Sequence, residues 1–365
     1  MAIQASVQKH LLNFKFDART SRGAMQQHEV FYLKLQDTRY PEITGIGECA
    51  PLPGLSPEHD STFEHRLNTW VSDFNKETID NELFEINYLN NKFNLQYWPS
   101  LRFALETAWL DWQQQGSKKL FNNSFSRSQT GIPINGLIWM GDQSFMQQQI
   151  EKKLKEGFSC LKLKIGGLDF NTELAILKQI REVASPKVLS IRLDANGAFA
   201  PERALNQLEQ LSQFAIHSIE QPIKPRQHQV MAYLCRHSPI PIALDEELIG
   251  VVDKIEQQQM LLNLKPAYII LKPTLLGGFQ ATREWIALAA AQNISWWITS
   301  ALESNIGLNA ISQFTAEYNL QTEQGLGTGQ LYHNNVRSPL TIRSGKLYYE
   351  ATATWDLQPL WYQKV

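Results

Sequence analysis

The spacing of apolar residues divides the chain into two parts with different periods. Residues 6–16 and 29–36 alternate in part between apolar and polar positions, which predicts antiparallel strands. Residues 100–115 carry apolar side chains three and four positions apart, which predicts a helix with Ser100 as its N-cap. The polar stretch 122–131 then predicts a boundary, because runs of Ser, Asn, Thr and Gly are typical of loops.

Beyond this boundary, short apolar runs alternate with longer stretches of helical period. We expect helices at 143–156, 169–184 and 278–292, among others. The strands are expected near 133–138, 160–165, 188–194, 216–220, 241–245, 267–272 and 294–299, with an eighth short element near 322–327. This alternation predicts an α/β protein with a parallel sheet, and so many units in so short a segment favour a compact barrel over an open sheet.

The last segment, 329–365, contains the sequence LTIRSGKLYYE. The dipeptide Ser344-Gly345 between two apolar runs predicts a β-hairpin. We expect this segment to return and pack on the N-terminal part of the chain.

Charged residues end five consecutive predicted strands. They follow one another at intervals of 25 to 30 residues, which is the length of one β/α unit in a barrel. The C-terminal strand ends of such a barrel converge on the face that carries active sites. We therefore expect five side chains to share one cavity: Lys164, Asp194, Glu220, Asp245 and Lys272.

Strand parity predicts the direction in which these charges point. Side chains two positions apart lie on the same face of a strand, so Lys162 and Lys164 share one face while Leu161 and Leu163 share the other. The apolar set suits the face that packs on the surrounding helices, which places both lysines inside the barrel. The other four charged strand ends follow the same rule. A salt-bridge network inside the barrel is the alternative interpretation.

The acids in this set predict a metal centre. Asp194, Glu220 and Asp245 offer oxygen ligands from consecutive strands, which suits a hard divalent cation such as Mg²⁺, with Mn²⁺ as a second possibility. Asn196 and Glu246 lie close to these ligands in sequence and are expected to orient them. A turn asparagine and an acid at a helix start would explain the same two residues.

The lysines in this set predict acid–base chemistry. A lysine has a pKa of about 10.4 and is therefore not a base at neutral pH unless its surroundings lower that value. Lys162 and a bound cation would both disfavour protonation of Lys164, which makes Lys164 the expected base. Lys272 is expected to act as a second base or as a cation that stabilises negative charge. Such a set can remove a proton beside the carboxylate of a small-molecule substrate and stabilise the resulting enediolate.

Composition narrows the class of protein. The chain has 365 residues, of which 43% are hydrophobic and 19% charged, as in ordinary globular proteins. The net charge of −2 provides no basic surface for nucleic acid or membrane lipid, and no apolar run is long enough to span a membrane. Three scattered cysteines and the absence of a signal-like N-terminus favour the cytoplasm. The sequence leaves open whether the protein is a monomer or a homo-oligomer.

The motifs resemble a known family. The Lys-x-Lys at 162–164, the three acids and Lys272 resemble the muconate-lactonizing-enzyme subgroup of the enolase superfamily. Finer matches resemble the o-succinylbenzoate synthase family of that subgroup. They are RGAM at 22–25, GECAPLPGLSPE at 47–58, LDANGAF at 193–199, EQP at 220–222, LKPTLLGG at 271–278, TSALESNIGL at 299–308 and GLGTG at 325–329.

The resemblance implies a fold and a domain organisation. The fold would be a modified TIM barrel, (β/α)7β, at 131–328. An α+β capping domain would be built from both termini, as 1–130 completed by 329–365. The segments 19–25 and 47–56 would close over the substrate.

The resemblance also implies a reaction. It is the Mg²⁺-dependent dehydration of 2-succinyl-6-hydroxy-2,4-cyclohexadiene-1-carboxylate to 2-succinylbenzoate in menaquinone biosynthesis. Lys164 would remove the α-proton and then protonate the departing hydroxyl, while Lys272 would stabilise the enediolate.

The resemblance further implies residues that contact the substrate. Ser300 and Ser304 would bind its succinyl end, and Arg22 would contact it from the capping domain. Gly325 and Gly327 would offer backbone N–H groups. A pair of helix-capping serines and a plain glycine turn are the competing interpretations.

Two related reactions would use the same lysines and metal. One is racemisation of N-succinylamino acids, and the other is epimerisation of dipeptides. Dipeptide epimerases of the subgroup usually carry Asp-x-Asp at the eighth strand, where this chain reads TEQGLGTG, which argues against the second. A non-catalytic metal-binding scaffold is disfavoured because every catalytic position of the family is present.

Overall fold

The computed structural model describes residues 3–20, 23–77, 79, 84–318 and 320–360. The chain begins with a three-stranded antiparallel sheet of consecutive strands: β1 (Ile3–Thr20), β2 (Gly23–Asp37) and β3 (Tyr40–Cys49). Three helices follow: α1 (Phe63–Lys76), α2 (Ile86–Phe93) and α3 (Pro99–Gln113). Apolar side chains of the sheet and of these helices form a separate core. The predicted antiparallel strands and the helix near 100–115 are therefore confirmed.

The start of α3 differs from the prediction. Trp98 occupies the N-cap position and Pro99 begins the helix, because the fixed φ of proline suits the first helical turn. Ser100 is therefore not the cap, and its backbone N and Oγ instead donate to Glu58 Oε1 at 2.9 and 2.6 Å.

Glycines let α3 lie directly on strand β3. A Cβ atom at Gly45 or Gly47 would overlap backbone atoms of Ala108 or Ala104 in this helix. The close approach fixes the position of β3, whose C-terminal end leads into the loop over the barrel.

The rest of the chain alternates strands and helices. Seven parallel strands stand in sequence order: β5 (Gly136–Ile138), β6 (Cys160–Lys164), β7 (Ser190–Asp194), β8 (Ser218–Glu220), β9 (Ile242–Leu244), β10 (Tyr268–Leu271) and β11 (Ser295–Ile298). The helices between and after them are α4 (Gln143–Lys155), α5 (Phe170–Val183), α6 (Pro201–Ser212), α7 (His228–His237), α8 (Lys254–Leu264), α9 (Pro273–Leu276), α10 (Gly278–Ala291) and α11 (Asn305–Thr315). The predicted β-α alternation is confirmed.

A short eighth element joins the two ends of this sheet. Gln324 forms a parallel bridge with Ile134 beside the first strand, and Gly325 forms one with Thr299 beside the last. The backbone N of Gly325 donates to Ile298 O at 2.8 Å. The short eighth element expected near 322–327 thus consists of two bridging residues, and it completes the (β/α)7β arrangement.

Side-chain direction in the barrel follows the predicted alternation. Leu161, Leu163 and Ile191 belong to the large core between strands and helices. Ala243, Ile270 and Trp297 form a small cluster of their own, as inward-facing residues of neighbouring strands do.

The C-terminal hairpin forms at the predicted turn but pairs elsewhere. It consists of β12 (Leu340–Arg343) and β13 (Lys346–Tyr349), with positive φ at both Ser344 and Gly345. Strand β13 pairs with β4 (Ile132–Pro133) and not with the N-terminal sheet, because β4 offers it an open edge.

Other residues of this segment do reach the N-terminal sheet. Tyr332, Val336 and Leu360 pack with Leu12 and Phe14 of β1. The domain boundaries at 130 and 328 stay a prediction. No described helix is both long and apolar enough to cross a membrane.

Candidate active site

Strand register brings the predicted charged residues to one end of the barrel. Lys164, Asp194 and Glu220 are the last residues of β6, β7 and β8, and the register pairs Lys164 with Asp194 and Asp194 with Glu220. Asp245 and Lys272 directly follow β9 and β10. The five positions predicted from spacing therefore lie side by side on consecutive strands.

The three acids form a compact cluster of oxygens. Asp194, Glu220 and Asp245 are buried, and each offers one carboxylate oxygen within 4.8 Å of the others. Glu220 Oε1 has no hydrogen-bond partner among the described residues. A buried carboxylate oxygen without a donor is unfavourable unless a cation satisfies it. The donor set, all of it carboxylate oxygen, fits a hard divalent metal ion.

Three lysines compensate the charge of these carboxylates. Lys162 contacts Glu220 and lies 3.0 Å from Asp194 Oδ2. Lys164 Nζ donates to Asp194 Oδ2 at 2.6 Å, and Lys272 Nζ donates to Asp245 Oδ2 at 2.5 Å. Lysines and acids therefore form one network at the strand ends.

The environment separates the pKa values of the lysines. Burial lowers the pKa of Lys164, and the charges of Lys162 and Lys272 add to this effect against the attraction of Asp194. Burial also lowers the pKa of Lys162, but the surrounding acids outweigh it and hold that pKa above its ordinary value. The pKa of Lys272 is raised in the same way, because Asp245 and Glu246 outweigh burial. Lys164 is thus the one of the three that is shifted towards a base.

Asn196 connects the lysine to the acids. Its Oδ1 accepts a hydrogen bond from Lys164 Nζ at 3.0 Å, and its Nδ2 donates to Glu246 Oε1 at 3.0 Å. Its backbone N donates to Asp194 Oδ1 at 3.1 Å. The residue has φ +46°, a conformation that asparagine tolerates better than most residues. The two residues expected to orient the ligands therefore bond to each other.

A cavity of about 300 Å³ lies above this network. Lys162, Lys164 and Lys272 line it on the barrel side. Its other walls come from Ala18, Thr20 and residues 23–25 at the β1–β2 end, and from Leu52, Pro53 and Leu55 in the loop after β3. The two segments expected to cover the substrate thus face the lysines.

The predicted substrate-binding residues divide into three groups. Ser300, Gly325 and Gly327 line the cavity. Ser304 does not: its Oγ donates to Glu48 Oε2 at 2.6 Å and accepts from Ile306 N at 3.2 Å at the start of α11. The structure therefore gives Ser304 the helix-capping role and does not support its prediction as a substrate ligand. Arg22 lies outside the described residues.

Comparison with known proteins agrees with this geometry. A family model described as enolase C-terminal domain-like matches residues 146–352. An o-succinylbenzoate synthase from Desulfotalea psychrophila is 45% identical over 94% of this chain and 98% of its own length. The chain belongs to the o-succinylbenzoate synthase family of the enolase superfamily.

This member of the o-succinylbenzoate synthase family is also similar to a solved structure and to a racemase. The crystal structure of MenC from Desulfotalea psychrophila is 42% identical, with a TM-score of 0.85 over 95% of this chain and all of that one. An N-succinylamino acid racemase from an Amycolatopsis species is 24% identical over 90% of this chain and 87% of that protein. The matches to the two Desulfotalea psychrophila proteins cover 94% and 95% of this chain, so both the N-terminal sheet and the barrel are shared.

Three polar residues of the cavity were not found from the sequence. Asn135, Trp139 and Thr299 line it, and their atoms Oδ1, Nε1 and Oγ1 are buried without a hydrogen-bond partner in the described part of the chain. Buried polar atoms normally have partners, so these three mark positions where a ligand can supply them. Alternation along 135, 137 and 139 is the available signal, since it places Asn135 and Trp139 on one face of the chain, but it does not show that their polar atoms lack partners.

Proposed function

We propose that this member of the o-succinylbenzoate synthase family dehydrates 2-succinyl-6-hydroxy-2,4-cyclohexadiene-1-carboxylate to 2-succinylbenzoate. The observation that carries the proposal is the position of Lys164. Its pKa is lowered by burial, it lines the cavity, and it stands 2.6 Å from an acid of the carboxylate cluster. The 45% identity to an o-succinylbenzoate synthase supports the choice of reaction. With 2-succinylbenzoate as its product, the protein would act in menaquinone biosynthesis.

Lys164 would carry the proton through both halves of the reaction. It takes the proton from the ring carbon that bears the carboxylate, so that this C–H bond breaks. The protonated lysine then gives a proton to the hydroxyl of the neighbouring carbon, whose C–O bond breaks to release water. The electron pair of the C–H bond becomes the last double bond of the aromatic ring.

Lys272 would remain protonated throughout. Its raised pKa keeps it cationic, held by Asp245 beside the cavity. A fixed cation stabilises negative charge as it develops on the substrate carboxylate. Lys162 is also cationic and bonded to acids, and its charge disfavours protonation of Lys164.

Asp194, Glu220 and Asp245 would hold Mg²⁺, with Mn²⁺ as a possible substitute. The all-oxygen donor set and the unpaired Glu220 Oε1 support this choice. When bound, the ion supplies positive charge next to the substrate carboxylate. Asn196 and Glu246 would keep the ligand oxygens and Lys164 in place.

The succinyl end of the substrate would lie away from the acids. Ser300, Gly325 and Gly327 line that part of the barrel rim, after the last strand and the eighth element. Ser300 Oγ donates to Glu303 Oε2 at 2.6 Å, which fixes its position. Hydroxyl and backbone groups suit a flexible ketoacid chain.

Racemisation of N-succinylamino acids is the second candidate reaction. The similarity to the racemase from Amycolatopsis supports this reaction. A two-base racemase needs two lysines, and both Lys164 and Lys272 line this cavity. Dipeptide epimerisation has less support, since glycines rather than acids line the cavity at the eighth element.

The location and partners follow the same proposal. We expect a cytoplasmic enzyme, because Cys49 and Cys160 are free and buried, as thiols in a reducing compartment are. Its partner would be the small carboxylate substrate.

The test is a direct assay of purified protein with Mg²⁺. Conversion of the cyclohexadiene acid to the aromatic product is expected as a rise in ultraviolet absorbance. The same preparation should be given N-succinylamino acids in D₂O. Absence of aromatic product, combined with fast deuterium exchange and racemisation, would replace the synthase assignment by the racemase.

A further inference from the structure

The loop after β11 contains a residue in an unfavourable conformation. Leu302 has φ +69°, a region that leucine rarely adopts. Leu302 and its neighbours Ser300 and Ala301 line the cavity. Strain of this kind persists only where surrounding contacts hold it in place.

Two side chains from outside the loop hold its backbone. The hydroxyl of Tyr332 donates to Leu302 O at 2.6 Å. Nδ1 of His28, on strand β2, lies 3.1 Å from the same oxygen. His28 is only 2% exposed, so its ring has no solvent partner to exchange for these contacts. The carbonyl oxygen of Leu302 is thus contacted by His28 of the N-terminal sheet and by Tyr332.

The other edge of the same ring meets the second loop over the cavity. His28 Nε2 lies 3.3 Å from Pro51 O, in the segment that follows β3. The next residue, Leu52, lines the cavity and packs in one apolar cluster with Ala301 and Leu302. One imidazole therefore touches the backbone of both loops that cover the lysines.

We propose that His28 is a positioning residue that ties the Pro51 loop to the Leu302 loop and so sets the shape of the substrate cavity. A neutral imidazole carries one N–H and donates to one carbonyl at a time. The protonated ring donates to both carbonyls and bonds the two loops to each other, whereas the neutral ring donates to one of them while Tyr332 keeps Leu302 O paired. This inference rests on the proposed function only for its kinetic readout.

Three variants separate the two contacts. His28→Phe keeps a ring and removes both nitrogens. His28→Gln places an amide donor near the position of Nε2, towards Pro51, whereas His28→Asn places one near Nδ1, towards Leu302. His10→Phe is the matched control, because His10 lies on the same sheet and contacts a backbone carbonyl, Asn334 O, at 3.4 Å.

The expected kinetic result is a rise in KM without loss of chemistry. For the cyclohexadiene acid, His28→Phe should raise KM about tenfold and change kcat less than threefold, the tenfold corresponding to about 1.4 kcal/mol. His28→Gln should recover much of the wild-type KM. Equal KM in wild type, His28→Phe and His10→Phe would overturn the proposal.

Hydrogen exchange tests the contacts of His28 with the two loops without requiring catalytic turnover. Backbone amides at 52–56 and 300–304 should exchange faster in His28→Phe than in wild type, and at wild-type rates in His10→Phe. If His28→Phe does not fold, the Gln and Asn variants carry the test, and unchanged exchange in both loops of both variants would refute it. Failure of the synthase assay with faster exchange in these loops would count against the proposed function and leave the role of His28 standing.

Discussion

Lys164 and Asp194 stand opposite each other on neighbouring parallel strands, and Nζ of the lysine lies 2.6 Å from Oδ2 of the acid. The expected base is therefore bonded directly to one of the expected metal ligands. Lys162 contacts the same oxygen at 3.0 Å. Removal of Lys164 thus leaves Asp194 with a cationic partner, which allows the base to be tested without dismantling the acid cluster.

Lys164→Ala should abolish proton abstraction. Loss of a general base typically lowers the rate roughly 10²- to 10⁴-fold, and we expect such a loss in product formation and in exchange of the substrate α-proton in D₂O. Metal affinity, followed by Mn²⁺ paramagnetic resonance, should change little. Lys178→Ala, an exposed lysine of α5, is the control. Exchange at the wild-type rate in Lys164→Ala would assign the base to another residue.

Lys272→Gln should separate the synthase from a two-base racemase. In the synthase this lysine acts as a fixed cation, so we expect kcat to fall roughly 10²- to 10³-fold, as when one stabilising donor is removed. Proton exchange at the substrate should continue at a reduced rate through Lys164. In a racemase, exchange from one enantiomer of an N-succinylamino acid would stop altogether. Exchange measured separately on the two enantiomers distinguishes these outcomes.

The charged part of the site could be predicted from sequence because strand ends and side-chain parity are both periodic. Lys162, Lys164 and the three acids needed only the alternation of positions and a barrel to be placed together. For Ser304 two roles were open, a substrate ligand and a helix cap, and the sequence cannot show that its hydroxyl bonds to Glu48, 256 positions away.

The features that the sequence did not predict depend on contacts between segments that are distant along the chain. The pairing of strand β13 could not be predicted, because the free edge of β4 that it joins exists only once the barrel has formed. Asn135 and Trp139 lie in a run of apolar residues, where nothing local marks an unpaired polar atom. The meeting of His28 with two loops likewise depends on tertiary packing.

Glu220→Gln should weaken metal binding while the fold persists. Removing an outer hydrogen-bond partner of a ligand typically costs roughly 10- to 100-fold in affinity, and removing a ligand should cost at least as much. Added Mg²⁺ should therefore raise the unfolding midpoint of the wild type, since a ligand of the native state stabilises it, and should have little effect on the variant. Glu202→Gln, at an exposed acid of α6, should respond like the wild type. An equal shift in Glu220→Gln would remove this residue from the ligand set.

Trp139→Phe should reveal whether the substrate uses the unpaired indole N–H. The change keeps most of the aromatic surface and removes one buried donor. A neutral hydrogen bond contributes about 0.5–1.5 kcal/mol, so KM should rise roughly two- to tenfold with kcat nearly unchanged. Trp296→Phe, outside the cavity, provides the comparison. If the two variants have the same KM, the indole N–H does not contact the substrate.

The stability of the protein should depend on pH through Glu48. Burial raises the pKa of this carboxyl from 4.5 to about 7, although hydrogen bonds from Ser304 and Gly307 oppose the shift. The native state therefore binds this proton more tightly than the unfolded chain, so the stability it contributes is complete below pH 4.5 and is lost as pH rises through 7. This pKa shift corresponds to a decrease in the free energy of unfolding of the order of 3 kcal/mol between low and high pH.

Glu48→Gln cannot ionise at this position, so the variant should show a shallower decline of unfolding free energy between pH 5 and 8 than the wild type. Glu151→Gln, at an exposed acid of α4, should keep the wild-type slope. Urea unfolding at several pH values measures both. Parallel curves for wild type and Glu48→Gln would mean that Glu48 has the same proton affinity in the folded and unfolded chain, and that the bonds to Ser304 and Gly307 fully offset its burial.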